Sequence, residues 1–559
     1  MMVPISRRGA DPHSGADTRP IAFLVSTTGA AKGIKTSLGT PAYSYFFVFQ
    51  ALAPVLEQFG KWTLLDRPES SLPFVAARAE ADGFRPVHLA IHPPQDVYLT
   101  PAVPNIIFPF WEFPDIPDRD FDYDTRQNWV RVSNRADLII TACHFTADAF
   151  HRARIKTPVA VVPVPLQPEH FQVPDWDPDH AWTLTCRHVA WGRPSPQDEA
   201  PAVEAADAVE ASSTPKPRRS WKSRAYGAGR GLFRKAYPWL GSRTLERVAR
   251  ARHYLVASAG FCPQTMAPLP GPKPGLVRLA YAVARDQYRR RVARWLSPEA
   301  LSKITRIKAR ALRVVGREPI LAPDPLLPST PLTLGGLVFA STFNLGDRRK
   351  NHVDLLSAYL LAFRDRQDAT LVIKLATSPA REHHEIGTFR KMYEALHIRH
   401  ECRLVVITDF LTDQQMRELT RATTFYVNTS RAEGACLPLQ QALAAGRPAI
   451  APDHTSMSDY MDESVGFVVG SHDEPTCWPH DPELRTETTW KRLIWSDLRD
   501  GLLEAAAMYD DRPEDYRAMA DAARARMAAY AGREVVTRAL SEALEHLPEV
   551  QTGRFAWAS

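Results

Sequence analysis

The chain has 559 residues, 45% of them hydrophobic and 24% charged, the balance of a globular protein with room for two domains and extra material. Six scattered cysteines, none in a Cys-x-x-Cys pair, signal neither a disulfide framework nor a zinc site and fit reduced thiols. The net charge of +6 hides an asymmetry. Between Lys216 and Arg317 about 25 Lys or Arg face about three acidic residues, so this segment is near +22 and the remainder near −16.

Residues 1–19 are polar and hold no apolar core of signal-peptide length. No stretch approaches the ~20 apolar residues of a membrane-spanning helix. A cytoplasmic protein is therefore expected, with any membrane contact peripheral and on the inner face.

Residues 20–173 alternate strand-like and helix-like stretches. IAFLVST (Ile21 to Thr27) reads as a buried strand, followed by a loop with Gly29, Gly33 and Gly39 and by the helical pattern YSYFFVFQALAPVLEQF. Further strands are expected at Val87 to Ile91, Asn105 to Phe110, Ala136 to Ala142 and Val159 to Val164, with HFTADAFHRA as a helix before the last. Short apolar strands between helices predict a parallel sheet covered on both faces. Residues 174–217 are rich in Pro, Asp, Glu, Ala and Ser, lack an apolar period and read as a flexible linker.

The basic segment, 218–330 as a region, carries an apolar stripe at helical spacing. Val277, Tyr281, Ala284, Tyr288, Val292 and Trp295 recur in steps of three and four, with Arg278, Arg285, Arg289 and Arg291 largely off the stripe. Amphipathic basic helices are expected. They suit an anionic membrane surface, or alternatively an added helical subdomain packed on the core. Residues 331–486 then alternate strand and helix without interruption, from GLVFAST through RPAIAP, which requires right-handed crossovers in one parallel sheet. Residues 487–559 read mostly as helices.

Two such α/β domains leave a cleft, and ligands of open α/β sheets bind beyond the carboxyl ends of the strands. Directly after the strand TFYVNTS comes SRAEGACLPLQQALAAG, which opens a helix. Backbone N–H groups near Gly434, Ala435, Cys436 and Leu437 would form an anion site there. Glu433 can accept hydrogen bonds from sugar hydroxyls, and the Gln441 amide can both donate and accept. A second loop, FNLGDRRKN, again lies between a strand and a helix and concentrates Arg348, Arg349 and Lys350.

These motifs resemble the donor site of the retaining glycosyltransferases of family 4. There a Glu, seven residues and a second Glu flank Gly and Pro. Glu433, Gly434 and Pro438 match, and Gln441 stands where the second Glu is usual. In the other loop Lys350 matches the family's diphosphate-binding Lys, Asn344 occupies the usual Arg position, and Arg348 or Arg349 would supply the missing charge. ADLIITACHFTADAF and VAVVPVPLQPEHF resemble the end of the family's N-terminal domain. FPFWEFPDIP places Trp111 and Glu112 where acceptor contacts would fall. The resemblance implies a GT-B fold, α/β, with two Rossmann-like domains facing across a cleft and the basic helical insertion between them. It implies transfer of a sugar from a nucleoside-diphosphate sugar to a polysaccharide or lipid-linked glycan, with Glu433, Lys350 and Arg349 as the central residues. No cofactor and no metal are expected, since the family generally works without one and no Asp-x-Asp motif accompanies the site. His92 and His144 read as ordinary loop or buried histidines. Two other classes stay open: a degenerate transferase acting as a scaffold, and a membrane- or nucleic-acid-binding protein using the basic segment. No zinc knuckle, RRM-like signature or helix-turn-helix pattern supports nucleic acid as a partner.

Overall fold

The structure is a computed structural model described for residues 18–27, 41–120, 124–192, 326–478, 481 and 486–548. The Gly29–Gly39 loop, the acidic centre of the expected linker and the basic segment lie outside the described residues. The chain divides into two compact units, the second comprising 199–325 with Ile386–Thr388.

The N-terminal half holds a six-stranded sheet: β1 (Ile21–Thr27), β2 (Gly60–Leu64), β3 (Arg85–Ile91), β4 (Asn105–Ile107), β5 (Leu138–Thr141) and β6 (Val159–Val161). The order is β2-β1-β3-β4-β5-β6, with every pairing parallel. β1 is buried along six of its seven residues, as a strand covered on both faces must be, and this is why it reads as a continuous apolar run. Helices α1 (Pro41–Leu56) and α2 (Pro68–Ala81) connect the first three strands, while α3 (Trp129–Ser133) and α4 (His144–Arg152) flank β5. The short α5 (Pro168–Phe171) follows β6. β2 and α2 had no sequence expectation: GKWTL is only half-buried, and α2 has a weak apolar stripe.

The C-terminal half is an eight-stranded sheet ordered β14-β13-β12-β9-β10-β11-β7-β8. Its parallel core contains β9 (Leu337–Phe343), β10 (Ala369–Leu375), β11 (Arg403–Ile407), β12 (Phe425–Val427), β13 (Ala449–Ala451) and β14 (Gly466–Val468). The crossovers run through α6 (His352–Ala362), α7 (Glu382–Ala395), α8 (Asp413–Ala422) and α9 (Leu437–Ala444). α8 starts with a complete capping box between Thr412 and Gln415, which satisfies two first-turn donors reciprocally.

Three boundaries need correction. The expected linker 174–217 contains β7 (Trp182–Trp191), which pairs antiparallel with β11. β8 (Ser329–Leu334) pairs antiparallel with β7, so this strand of the sheet begins inside the region assigned to the basic insertion. The stretch from Glu487 does not open as a helix: β15 (Ser471–Cys477) and β16 (Glu487–Leu493) form an antiparallel hairpin. Both strands of the hairpin are largely polar and partly exposed, so neither carries an apolar run.

After the hairpin come α10 (Trp495–Asp511), α11 (Pro513–Ala531) and α12 (Arg533–Leu544). α10 and α11 pack on the C-terminal sheet. α12 crosses back: Val536, Leu540, Ala543 and Leu544 share one buried cluster with Phe23, Val25, Phe49 and Leu89. The sharp change of direction falls at Gly532, where a Cβ would stand 2.3 Å from the Ala528 carbonyl oxygen.

Candidate active site

The chain runs from β9 through β10 and β11 on one side and then crosses to β12 on the other, which makes β9 the switch point at which an open α/β sheet leaves a crevice. A small concavity lies there, lined by Ser341–Phe343 from β9, Tyr426 and Asn428–Ser430 from β12 and its loop, and Lys350, Glu433, Cys436 and Pro438.

Two tight turns deliver the charged groups. After β9, a 3-10 turn over Arg348–Lys350 is capped by Asp347, whose carboxylate accepts from Arg349 N at 3.2 Å. The turn ends at Asn351, in the left-handed region at φ 51°, where α6 begins. The Thr429 hydroxyl donates to the Lys350 carbonyl at 3.0 Å, and Arg431 N donates to the Arg349 carbonyl at 2.7 Å. After β12, Asn428 accepts from Ser430 N at 2.8 Å and its amide meets Cys436 Sγ at 2.7 Å. Cys436 adopts φ 58° at the start of α9, which has no side-chain cap. From the loop after β13, Thr455 Oγ1 accepts from Glu433 N at 3.1 Å, although a β-branched residue at φ 55° is strained.

Glu433 is the centre of the charge cluster. Its Oε1 takes the Lys350 ammonium and its Oε2 takes Arg349 Nη1 at 3.1 Å. Burial opposes its ionisation, but Lys350 and Arg349 outweigh burial and hold the carboxyl down to about 2. Arg349 is surrounded by acceptors. Nε meets Glu112 at 3.2 Å, Nη2 meets Asp347 at 2.8 Å, and Nη1 also donates to the Ala432 carbonyl at 2.6 Å. Although burial works against its charge, Glu112, Glu433 and Asp347 raise its proton affinity further.

The expected residues separate by position. Lys350, Glu433 and Cys436 line the concavity. Arg349 and Glu112 lie behind it as an ion pair joining the two halves, so Glu112 meets a cation rather than open cleft. Gly434 marks a close approach: a Cβ there would stand 3.2 Å from Trp111 N. Ala435 and Leu437 pack with the apolar core of the N-terminal half.

Others stand elsewhere. Trp111 is 4% exposed, its ring packed on Phe113, Trp129 and Trp478, which places it in the core rather than on an acceptor surface. Arg348 is exposed and Gln441 half-buried, and neither lines the concavity. The neighbouring Gln440 is the buried amide, donating to the Ala435 carbonyl at 2.7 Å. Asn344 Oδ1 accepts from Gly346 N at 3.0 Å and shapes the loop.

Several residues had no sequence signal. Asp347 braces Arg349 through its backbone N and its Nη2, and Thr455 holds Glu433 N. Tyr426 lines the concavity while its hydroxyl accepts from Thr342 N at 3.1 Å. His92, read as ordinary, sits just beyond β3, where burial lowers its pKa to about 4 and Nδ1 lacks a hydrogen-bond partner. Among the described residues, no group of three or more His, Cys, Asp or Glu is arranged to hold a metal ion, and no helix is long and apolar enough to cross a membrane.

Residues 336–478 match the family described as glycosyl transferases group 1, which encloses the β9 and β12 loops and Glu433. The chain is a glycosyltransferase. None of the curated proteins matches it. Among solved structures, the glycosyltransferase is similar to one from Rickettsia africae at 8% identity and TM-score 0.46, over 95% of this chain and 100% of that one. It is similar to Anabaena HepE, solved with UDP and glucose, at 11% identity and TM-score 0.42, over 94% and 100%. It is also similar to the sucrose-phosphate synthase of Thermosynechococcus elongatus at 10% identity and TM-score 0.44, over 94% and 98%.

Proposed function

We propose that this glycosyltransferase is a retaining enzyme of family 4 type, which moves a sugar from a nucleoside diphosphate to a hydroxyl of a polysaccharide or lipid-linked glycan. The observation that carries the donor half of this reading is the Lys350–Glu433 pair in the concavity at the sheet's switch point. Lys350 meets the diphosphate, helped by backbone N–H groups at the start of α9, and stabilises the charge that develops as it leaves. Glu433, ionised and fixed, accepts from hydroxyls of the donor sugar. An acceptor hydroxyl then replaces the diphosphate on the same face of the anomeric carbon. No resident metal takes part in this scheme, because Lys350 supplies the cation.

Calorimetric titration with UDP, GDP and ADP, on the wild type and on Lys350→Ala, tests the reading. One nucleotide should bind and its affinity should fall at least tenfold in the variant. Failure of all three to bind at sub-millimolar concentration would leave a scaffold bearing a degenerate site. The acceptor half rests on the basic segment, proposed to hold the enzyme at an anionic membrane surface on the cytoplasmic side. Each Lys or Arg near such a surface contributes about 1 kcal/mol before screening. Flotation with anionic liposomes at low salt checks it, and no binding would remove the peripheral location.

A further inference from the structure

The cations of the donor site are outnumbered. Arg349 and Lys350 face Glu433, Glu112 and Asp347, a net charge of −1 in a pocket that must take a diphosphate. Lys350 lines the concavity and Arg349 does not. Each Arg349 nitrogen already has a protein acceptor, and Glu112, which engages Nε, comes from the opposite half of the fold. A guanidinium held in this way is a fixed counter-ion for Glu433 rather than a ligand that swings onto phosphate.

We propose that Glu112 is a positioning residue. Acting across the two halves, it holds Arg349 on Glu433 and off the donor diphosphate, weakening the grip on the product nucleotide while keeping the sugar-binding carboxylate in place. The inference rests on the donor-site reading above. Two consequences follow from the charge count. Removing the Glu112 charge brings the cluster to neutrality and frees one face of Arg349 to turn toward an anion, so the nucleoside diphosphate binds more tightly. The same release loosens Glu433, so transfer slows. Tighter product binding with slower turnover is a combination that loss of packing alone does not produce.

The test uses the full chain and whichever of UDP, GDP and ADP binds the wild type. Glu112→Gln, nearly isosteric, should tighten the dissociation constant of that nucleotide by about three- to tenfold, as expected for removing one partly screened charge. It should also lower the steady-state release of nucleotide from the matching sugar donor by tenfold or more. Glu112→Asp, which keeps the charge, should hold nucleotide affinity within about twofold of wild type. Unchanged or weaker nucleotide binding by folded Glu112→Gln, with melting temperature at the wild-type value, overturns the proposal and leaves the donor-site reading standing. If Glu112→Gln does not fold, Glu112→Asp decides: a changed affinity with the charge kept overturns it, and wild-type affinity supports it. If the wild type itself binds none of the three nucleotides, the donor-site reading falls and takes this one with it.

Discussion

Glu433 ionises between two fixed cations, and its proton affinity bears on how the folded protein responds to acid. Its folded value of about 2 lies below the ordinary 4.5, so the unfolded chain binds the proton more readily. The stabilisation is therefore complete above about pH 4.5 and is lost as pH falls toward 2, a contribution on the order of 3 kcal/mol. Glu433→Gln should be less stable than wild type near neutral pH yet lose less on acidification. Denaturant titrations at about pH 6 and about pH 3 check this, and equal acid sensitivity of the two proteins would refute the assignment. Over the same range the acid limb of activity should not belong to Glu433, which stays charged. His454 beside Thr455 is held near 4 by burial and stays neutral at physiological pH. Glu433 and Lys350 were legible in the sequence because a Glu-Gly-x-x-x-Pro run after a strand is a local pattern. The role of Arg349 was not, because it depends on Glu112, which is remote in the chain and joins it only when the halves pack.

At the scale of elements, legibility follows burial. β9 to β12 stand out because parallel strands covered on both faces are spelled in unbroken apolar residues such as LVFASTF and ATLVIKL. β15 and β16, SHDEPTC and ETTWKRL, are held instead by cross-strand pairing and by Glu474, which accepts from Trp490 Nε1 at 2.8 Å and Arg492 Nη1 at 3.0 Å and pairs with Arg431. Lys491 N donates to the Arg431 carbonyl at 2.9 Å, so the hairpin braces the loop that carries Glu433. Glu474→Ala should therefore cost no more than about 1 kcal/mol, as half-exposed ion pairs do, while slowing sugar transfer several-fold. Thermal melting alongside donor turnover separates the two effects, and an unaltered rate would detach the hairpin from the site. Gly532→Ala should be the more damaging change in stability. Its Cβ meets a backbone oxygen at 2.3 Å, and the turn from α11 into α12 must open to admit it, at a cost of about 1–3 kcal/mol.

At the scale of the whole unit, the contacts that join the halves include the Glu112–Arg349 pair, Asp459 accepting from His144 N at 2.9 Å, Trp478 set among Trp111, Trp129 and Trp490, and the apolar face of α12. Trp478, just beyond the hairpin strand, is 3% exposed, so truncating it leaves a cavity among residues of the other half. Trp478→Ala should lose about 3–5 kcal/mol, and Trp478→Phe less. Chemical denaturation checks both, and a loss below about 1 kcal/mol would show that the aromatic junction contributes little. The two Rossmann-like halves could be read from alternation alone. How they are fastened could not, since tryptophans distant in sequence give no periodic signal.

The return of α12 to the N-terminal sheet has a consequence in time. The strands around Phe23 and Leu89 leave the ribosome early, but the apolar surface that Val536, Leu540 and Leu544 cover stays bare until about 360 further residues past α5 have been added. At about 5–20 residues per second that wait is roughly 20–70 s. During synthesis the early half is thus an incomplete core, its apolar face uncovered until α12 arrives.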